Sequence, residues 1–153
     1  MGKVPAVFHR AFDVTPDPLG ALEQLIALGF RRVLTSGQQP SAHRGMALLA
    51  DLIRQSRGRI EILPGGGVNR SIVSDLVTQT GCNQVHASLR VPCADPSTQR
   101  RPTISFGSAT NESTRDHEQT STELVAELSA LLRGGAAARP VKVPRENQLR
   151  RPV

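Results

Sequence analysis

The sequence predicts an α/β fold in which four strand–helix units follow one another along the chain. Three observations carry that expectation. Four short apolar runs, VPAVFH (4–9), RRVLTS (31–36), RIEILP (59–64) and QVHASL (84–89), have the length of buried strands. Amphipathic helical patterns separate them. The runs start about 27 residues apart, the length of one strand–helix unit, which implies a parallel sheet with helices outside it.

The elements are justified in chain order. After the first run, LGALEQLIALG places Leu19, Leu22, Leu25 and Ile26 on one helical face, and Asp17-Pro18 supplies the start. In SAHRGMALLADLIRQSRG, Met46, Leu49, Leu52 and Ile53 repeat that spacing, with Ser41 as cap and Gly58 as stop. In NRSIVSDLVTQTG, Asn69 is the expected cap, Ile72, Val73, Leu76 and Val77 face inward, and Gly81 ends the helix. The last helix runs through TSTELVAELSALLRGG. There Thr120 and Glu123 have capping-box spacing, and Leu124, Val125, Leu128, Leu131 and Leu132 form the apolar stripe. Between Val91 and Gln119 lies a long connection rich in Pro, Ser, Thr and Arg, read as a loop. Four such units fit either a small open doubly wound sheet or one half of a (β/α)8 TIM barrel, which needs about 250 residues.

Charge and composition narrow the function. The chain of 153 residues has a net charge of +6, but residues 139–153 hold +4 of it, leaving +2 for the rest. Basicity therefore belongs to a tail, 134–153, expected to be disordered, behind a 1–133 domain. Four Phe with no Trp or Tyr leave no platform for stacking bases, so nucleic-acid binding is disfavoured. No apolar run approaches the ~20 residues of a membrane span, and MGKVPAVFHRAF lacks a signal-peptide core. The two cysteines, Cys82 and Cys93, form no CxxC pair, and a cytoplasmic protein with reduced thiols is expected.

Ligands of parallel α/β sheets bind at the carboxyl ends of the strands, and here all four ends are polar or glycine-rich. The first offers His9, Arg10 and Asp13, the second Thr35, Ser36 and Gly37, the third PGGG with Gly65, Gly66 and Gly67, the fourth His86, Ser88 and Arg90. Three glycines let a backbone approach a ligand and adopt positive φ. A helix starting near Asn69 would turn its free N–H groups toward the same place, making an anion site for phosphate or carboxylate. No GK[ST] follows, so this is not a Walker A loop. The alternative is a tight connection whose glycines serve packing. His9 and Asp13, four apart, are candidate catalytic residues: His9 as acid or base, Asp13 orienting it or holding a substrate hydroxyl. The competing assignment makes His9 a hydrogen-bonded structural histidine and Asp13 a turn cap. Alternation puts His86, Ser88 and Arg90 on one face, where Arg90 either grips an anion or makes a surface ion pair.

His43 and His117 are expected to be solvated. Cys82 and Cys93 are too few to define a tetrahedral metal site, and only Met46 and Met1 add soft donors.

FHRAFDVTPDPLGALEQLIALGF, RVLTSGQQPSA, IEILPGGGVN and VHASLR resemble, in order, segments of the copper-homeostasis protein CutC family. The resemblance runs from about Val4 to Arg90 and returns at ISFGSA (104–109) and in the last helix. It implies a cytoplasmic (β/α)8 barrel, with the four strands here as strands five to eight, and a role in copper handling. Copper as a bound ion is implied by the resemblance alone. A family member would carry four more strands before FHRAFD, so the resemblance implies a truncated homologue. A half barrel has open edges and an uncovered inner face, and calls for a second copy or a complementary half-barrel chain. The alternative function is a barrel enzyme or binding protein for a small phosphorylated or carboxylated molecule.

Overall fold

A computed structural model describes residues 4–94 and 116–136. The order is β1 (Val7–Phe8), a 3-10 turn (Arg10–Val14), α1 (Pro18–Ala27), β2 (Arg32–Thr35), α2 (Met46–Ser56), β3 (Glu61–Pro64), α3 (Val73–Thr80), β4 (Arg90–Ala94), β5 (Asp116–Thr120) and α4 (Thr122–Ala136). The strands β1, β2 and β3 form a parallel sheet in sequence order, with Phe8 beside Val33 and Arg32, Val33, Leu34 and Thr35 beside Glu61, Ile62, Leu63 and Pro64. This is the mixed α/β architecture with a parallel sheet that the spacing predicts.

Strand pleating decides what each face does. Val33 and Ile62 are buried under the helices, with Phe8 in the same row. Phe8 also meets Phe30 edge-on, ring centroids 5.6 Å apart. The helices answer with Leu22 and Leu25 from α1, Met46, Leu49 and Leu52 from α2, and Val73 and Leu76 from α3. Each such side chain contributes roughly 1.5–3 kcal/mol by leaving water. The other face carries Arg32, Leu34, Glu61 and Leu63, all half-buried, with the Arg32–Glu61 ion pair at 2.5 Å.

Helix starts show which local signals hold. Asp17 accepts from the Gly20 N–H at 3.0 Å and Pro18 opens α1, as the sequence predicts. Ser41 does not cap α2: that helix starts at Met46 after Gly45, and Ser41 closes its own turn with the Arg44 N–H. Asn69 likewise serves its own turn, accepting from the Ser71 N–H at 2.9 Å, so α3 begins only at Val73. Both residues satisfy amides within three positions, which competes with capping a distant helix. Ser121, not Thr120, caps α4, through the Leu124 N–H, because Thr120 is spent on β5. Arg57 and Gly58 end α2 and Gly81 ends α3, each in the left-handed conformation. Leu19, Val125 and Leu131 are exposed rather than inward-facing. Among the described residues of α4, the row of Leu128 and Leu132 reaches the core.

The fourth predicted strand is corrected. QVHASL keeps its alternation, with His86, Ser88 and Arg90 outward and Val85, Ala87 and Leu89 half-buried against the core. Yet it joins the sheet through one bridge, Gly65 with His86, where the His86 N–H donates to the Pro64 carbonyl at 2.8 Å. Leu89 then turns left-handed, φ 48°, which ends the extended run. Arg90–Ala94 pairs instead with Asp116–Thr120, antiparallel, so both ends of the predicted loop are strands. ISFGSA (104–109) and the tail from 137 lie outside the described residues, while Gly134 continues α4.

Candidate functional site

The turn after β1 is set by His9, whose Nδ1 accepts the Ala11 N–H at 3.0 Å and so caps the 3-10 turn. That turn aims Arg10 and Asp13 at the tip of β2. The Asp13 carboxylate, 9 % exposed, receives Thr35 Oγ1 at 2.5 Å, the Ser36 N–H at 3.0 Å, the Gln38 N–H at 3.2 Å and Arg10 Nε at 2.7 Å. Burial raises the Asp13 pKa, but the hydrogen bonds from Thr35, Arg10, Ser36 and Gln38 outweigh it and hold the group below its ordinary 3.8. Asp13 is therefore a charged, fully engaged acceptor.

Ser36 links the same groups. Its Oγ accepts Arg10 Nη2 at 2.7 Å, and its single proton has two oxygens in reach, the Gln39 carbonyl at 2.6 Å and Asp13 Oδ2 at 3.0 Å. Thr35 is buried, donates to Asp13 and accepts the Gly37 N–H at 2.9 Å. Arg10 is thus held at Nε and Nη2. Its Nη1 has no acceptor among the described residues.

The glycines of PGGG meet residues from the other strand ends. A Cβ on Gly65 would stand 2.6 Å from Leu34 Cδ1 and 3.2 Å from the His86 Cβ; on Gly66 it would meet Ser36 Cβ at 3.3 Å and Arg10 Nη1 at 3.4 Å; on Gly67, Ser41 Cβ at 3.7 Å. Gly66 and Gly67 have φ of 108° and 69°. The Gly65 N–H continues the ladder to the Thr35 carbonyl, whereas the amides of Gly66 and Gly67 have no acceptor among the described residues.

Of the sequence-predicted site residues, the structure brings Arg10, Asp13, Thr35, Ser36, Gly65, Gly66 and His86 together. His9 bonds to the Ala11 amide rather than to Asp13. Asn69 sits beside the loop, its Nδ2 donating to the Gly67 carbonyl at 3.3 Å, but the α3 amides it was expected to present begin four residues later. Arg90 pairs with Glu118 at 3.3 Å, both exposed, and the Ser88 carbonyl accepts Thr120 Oγ1. His43 is exposed, as expected; the backbone of His117 lies in β5.

Sequence reasoning found Gly37 but missed Gln38 and Gly45. The Gln38 amide reaches Asp13 because Gly37 and Gln38 both adopt positive φ, 72° and 57°. Beneath them, a Cβ on Gly45 would stand 1.9 Å from the Ser36 carbonyl, and one on Gly37 would stand 2.4 Å from the Gly45 carbonyl. The signal was the pair of glycines in TSGQQPSAHRG, bracketing a loop that must fold back on itself.

Copper-type donors fit poorly here. Cys82 is buried in the core, where burial pushes its thiol pKa up, and among the described residues no three His, Cys, Asp or Glu converge. Cys82 and Cys93 form no disulfide.

Comparison with known proteins completes the picture. A CutC protein of Treponema denticola is 50 % identical over 103 residues, covering 67 % of this chain and 42 % of its own. The human copper homeostasis protein cutC homolog is 37 % identical over 128 residues, 84 % of this chain and 47 % of its own. The chain thus spans about half the length of the curated relatives it matches, or less. A crystal structure of CutC from Streptococcus agalactiae superposes with a TM-score of 0.52 at 37 % identity, over 54 % of this chain and 41 % of that one. The sequence profile of the CutC family matches residues 2–91, the span that holds β1 to β3 and the residues from Arg10 to His86 that meet at their ends, and the chain belongs to the CutC family.

Proposed function

We propose that this chain acts in copper homeostasis, as the names of its mouse and human relatives have it, through one half of a (β/α)8 barrel whose strand ends form a mouth for a small anionic molecule. The observation that carries the mouth is the convergence of Arg10, Ser36 and His86 on Gly65 and Gly66, with two glycine amides left to donate. In-order parallel strands with helices on one face, and half-buried side chains on the other, support the half barrel. Strands from a second copy or from a complementary half-barrel chain would complete the ring. Copper enters as cargo of the family's role, with no step assigned to the described residues.

A second reading is a barrel enzyme or binding protein acting on a phosphorylated or carboxylated molecule. Asp13 favours a positioning role in it, since its oxygens are already occupied by Thr35, Ser36, Gln38 and Arg10, while His9 Nδ1 bonds to the Ala11 amide. The acid or base would then be His9 or His86, with Arg10 and the glycine amides holding the anion. Light scattering of the purified chain, followed by melting curves with phosphate, acetate and Cu(I), tests all of this. A defined dimer stabilised by an anion supports the barrel mouth. An anion-indifferent protein that binds Cu(I) tightly overturns the mouth and favours direct metal handling.

A further inference from the structure

We infer that the mouth selects a singly charged carboxylate over a doubly charged phosphate, gripped by the outer edge of Arg10 and the amides of Gly66 and Gly67. The inference rests on the anion reading of the mouth and adds the ligand's class. Arg10 is the cation beside Gly66, its Nη1 3.4 Å from where a Gly66 Cβ would be. Its charge is already matched by Asp13, bonded through Nε at 2.7 Å. The local balance is therefore close to zero, and the site offers directed donors rather than surplus positive charge. A monoanion can be desolvated against such donors; a dianion brings a second charge that nothing adjacent offsets.

Geometry points the same way. With Nε on Asp13 and one Nη2 proton on Ser36, the guanidinium keeps Nη1 and the second Nη2 proton along one edge. Two parallel N–H groups match the two oxygens of a planar carboxylate. Asp13 and Ser36 fix that edge in place, so little side-chain entropy is lost on binding. The glycine amides add donors at a positive-φ turn that side chains rarely adopt. His86, exposed beside Gly65, and His9, exposed at the turn of Arg10, are the nearby titratable groups outside this network.

The test is nuclear magnetic resonance of the full 153-residue chain, following the amides of Gly66 and Gly67 during titration with acetate, lactate, inorganic phosphate and methyl phosphate. Titrations at pH 6 and pH 8 expose any contribution of the two histidines. The expected result at pH 8, where both phosphates are mostly dianions, is saturable shifts with carboxylates at least about tenfold tighter than with either phosphate, and about tenfold weaker carboxylate binding in Arg10→Lys, which keeps the charge but loses the fork. Phosphate binding as tight as carboxylate at pH 8 overturns the selectivity while leaving the anion mouth standing. No shift with any anion overturns both. Carboxylate binding unchanged in a folded Arg10→Lys variant also overturns the inference, because the ligand then sits elsewhere. Should that variant not fold, the wild-type series alone decides.

Discussion

Thr35 Oγ1 donates to Asp13 Oδ1 at 2.5 Å, tying the tip of β2 to the turn that follows β1. The two residues are 22 positions apart, and the same carboxylate also takes Arg10 Nε and the amides of Ser36 and Gln38. Together these bonds fix the turn that carries Arg10, and with it the wall of the mouth.

Replacing Asp13 by Ala should be costly. It strands the Arg10 charge, the Thr35 hydroxyl and the amides of Ser36 and Gln38 at once. Losing charge-assisted bonds to a nearly buried carboxylate predicts about 2–4 kcal/mol of destabilisation. Thr35→Val, which removes one donor and keeps the shape, should cost about 1–2 kcal/mol. Urea midpoints at constant m-value check both. Equal effects for the two variants would mean that Asp13 acts only through Thr35.

Acid should undo the same network in a defined window. The folded Asp13 pKa lies below the ordinary 3.8, so its stabilisation is complete above that value and is lost as pH falls through the folded value. Glu61, held down first by the Arg32 hydrogen bond, and Glu23, held at about 2 mainly by Arg59, follow the same sign. Stability plotted against pH should therefore fall between pH 4 and 2. Asp13→Asn should flatten that slope relative to the native chain. An identical slope would remove Asp13 from the acid response.

Gly45→Ala should be among the worst single substitutions in the chain. The added methyl would meet the Ser36 carbonyl at 1.9 Å, backbone against backbone, with no flexible side chain to give way. Gly58→Ala is the control, since it has φ 75° with nothing within 4 Å, and it should cost only about 1 kcal/mol. Comparison of their thermal midpoints tests this. A tolerated Gly45→Ala would mean that α2 can start elsewhere.

Cys82 should resist alkylation in the folded state. Its thiol is buried, and burial raises its pKa, so both access and thiolate are scarce. Mass spectrometry after iodoacetamide should show Cys82 unlabelled natively and labelled in guanidinium. Rapid native labelling would mean that the α3 end of the core opens readily.

The polar strand ends were legible in sequence because topology alone places them: a parallel strand followed by a helix must present its last residues at one rim. Arg10, Asp13, Thr35, Ser36 and PGGG were found that way. Their pairing was not legible. Whether Asp13 meets His9 or Thr35 depends on a 3-10 turn of five residues that reverses the chain, and periodicity carries no signal for it. QVHASL failed differently. Its alternation was real and survives, but alternation reports which side chains are buried, not how many ladder bonds form. The β4–β5 pairing joins segments separated by a long connection, which no local pattern encodes.

The contact of Gly37 with Gly45 has a mechanical consequence. Where two backbones touch without side chains between them, there is no soft layer to absorb a displacement. The rim that carries Ser36 and Gln38 and the first turn of α2 must consequently shift as one rigid piece. Hydrogen exchange in those two segments should then be lost in a single opening event, so that any breathing of the mouth is felt at once along the outer helix.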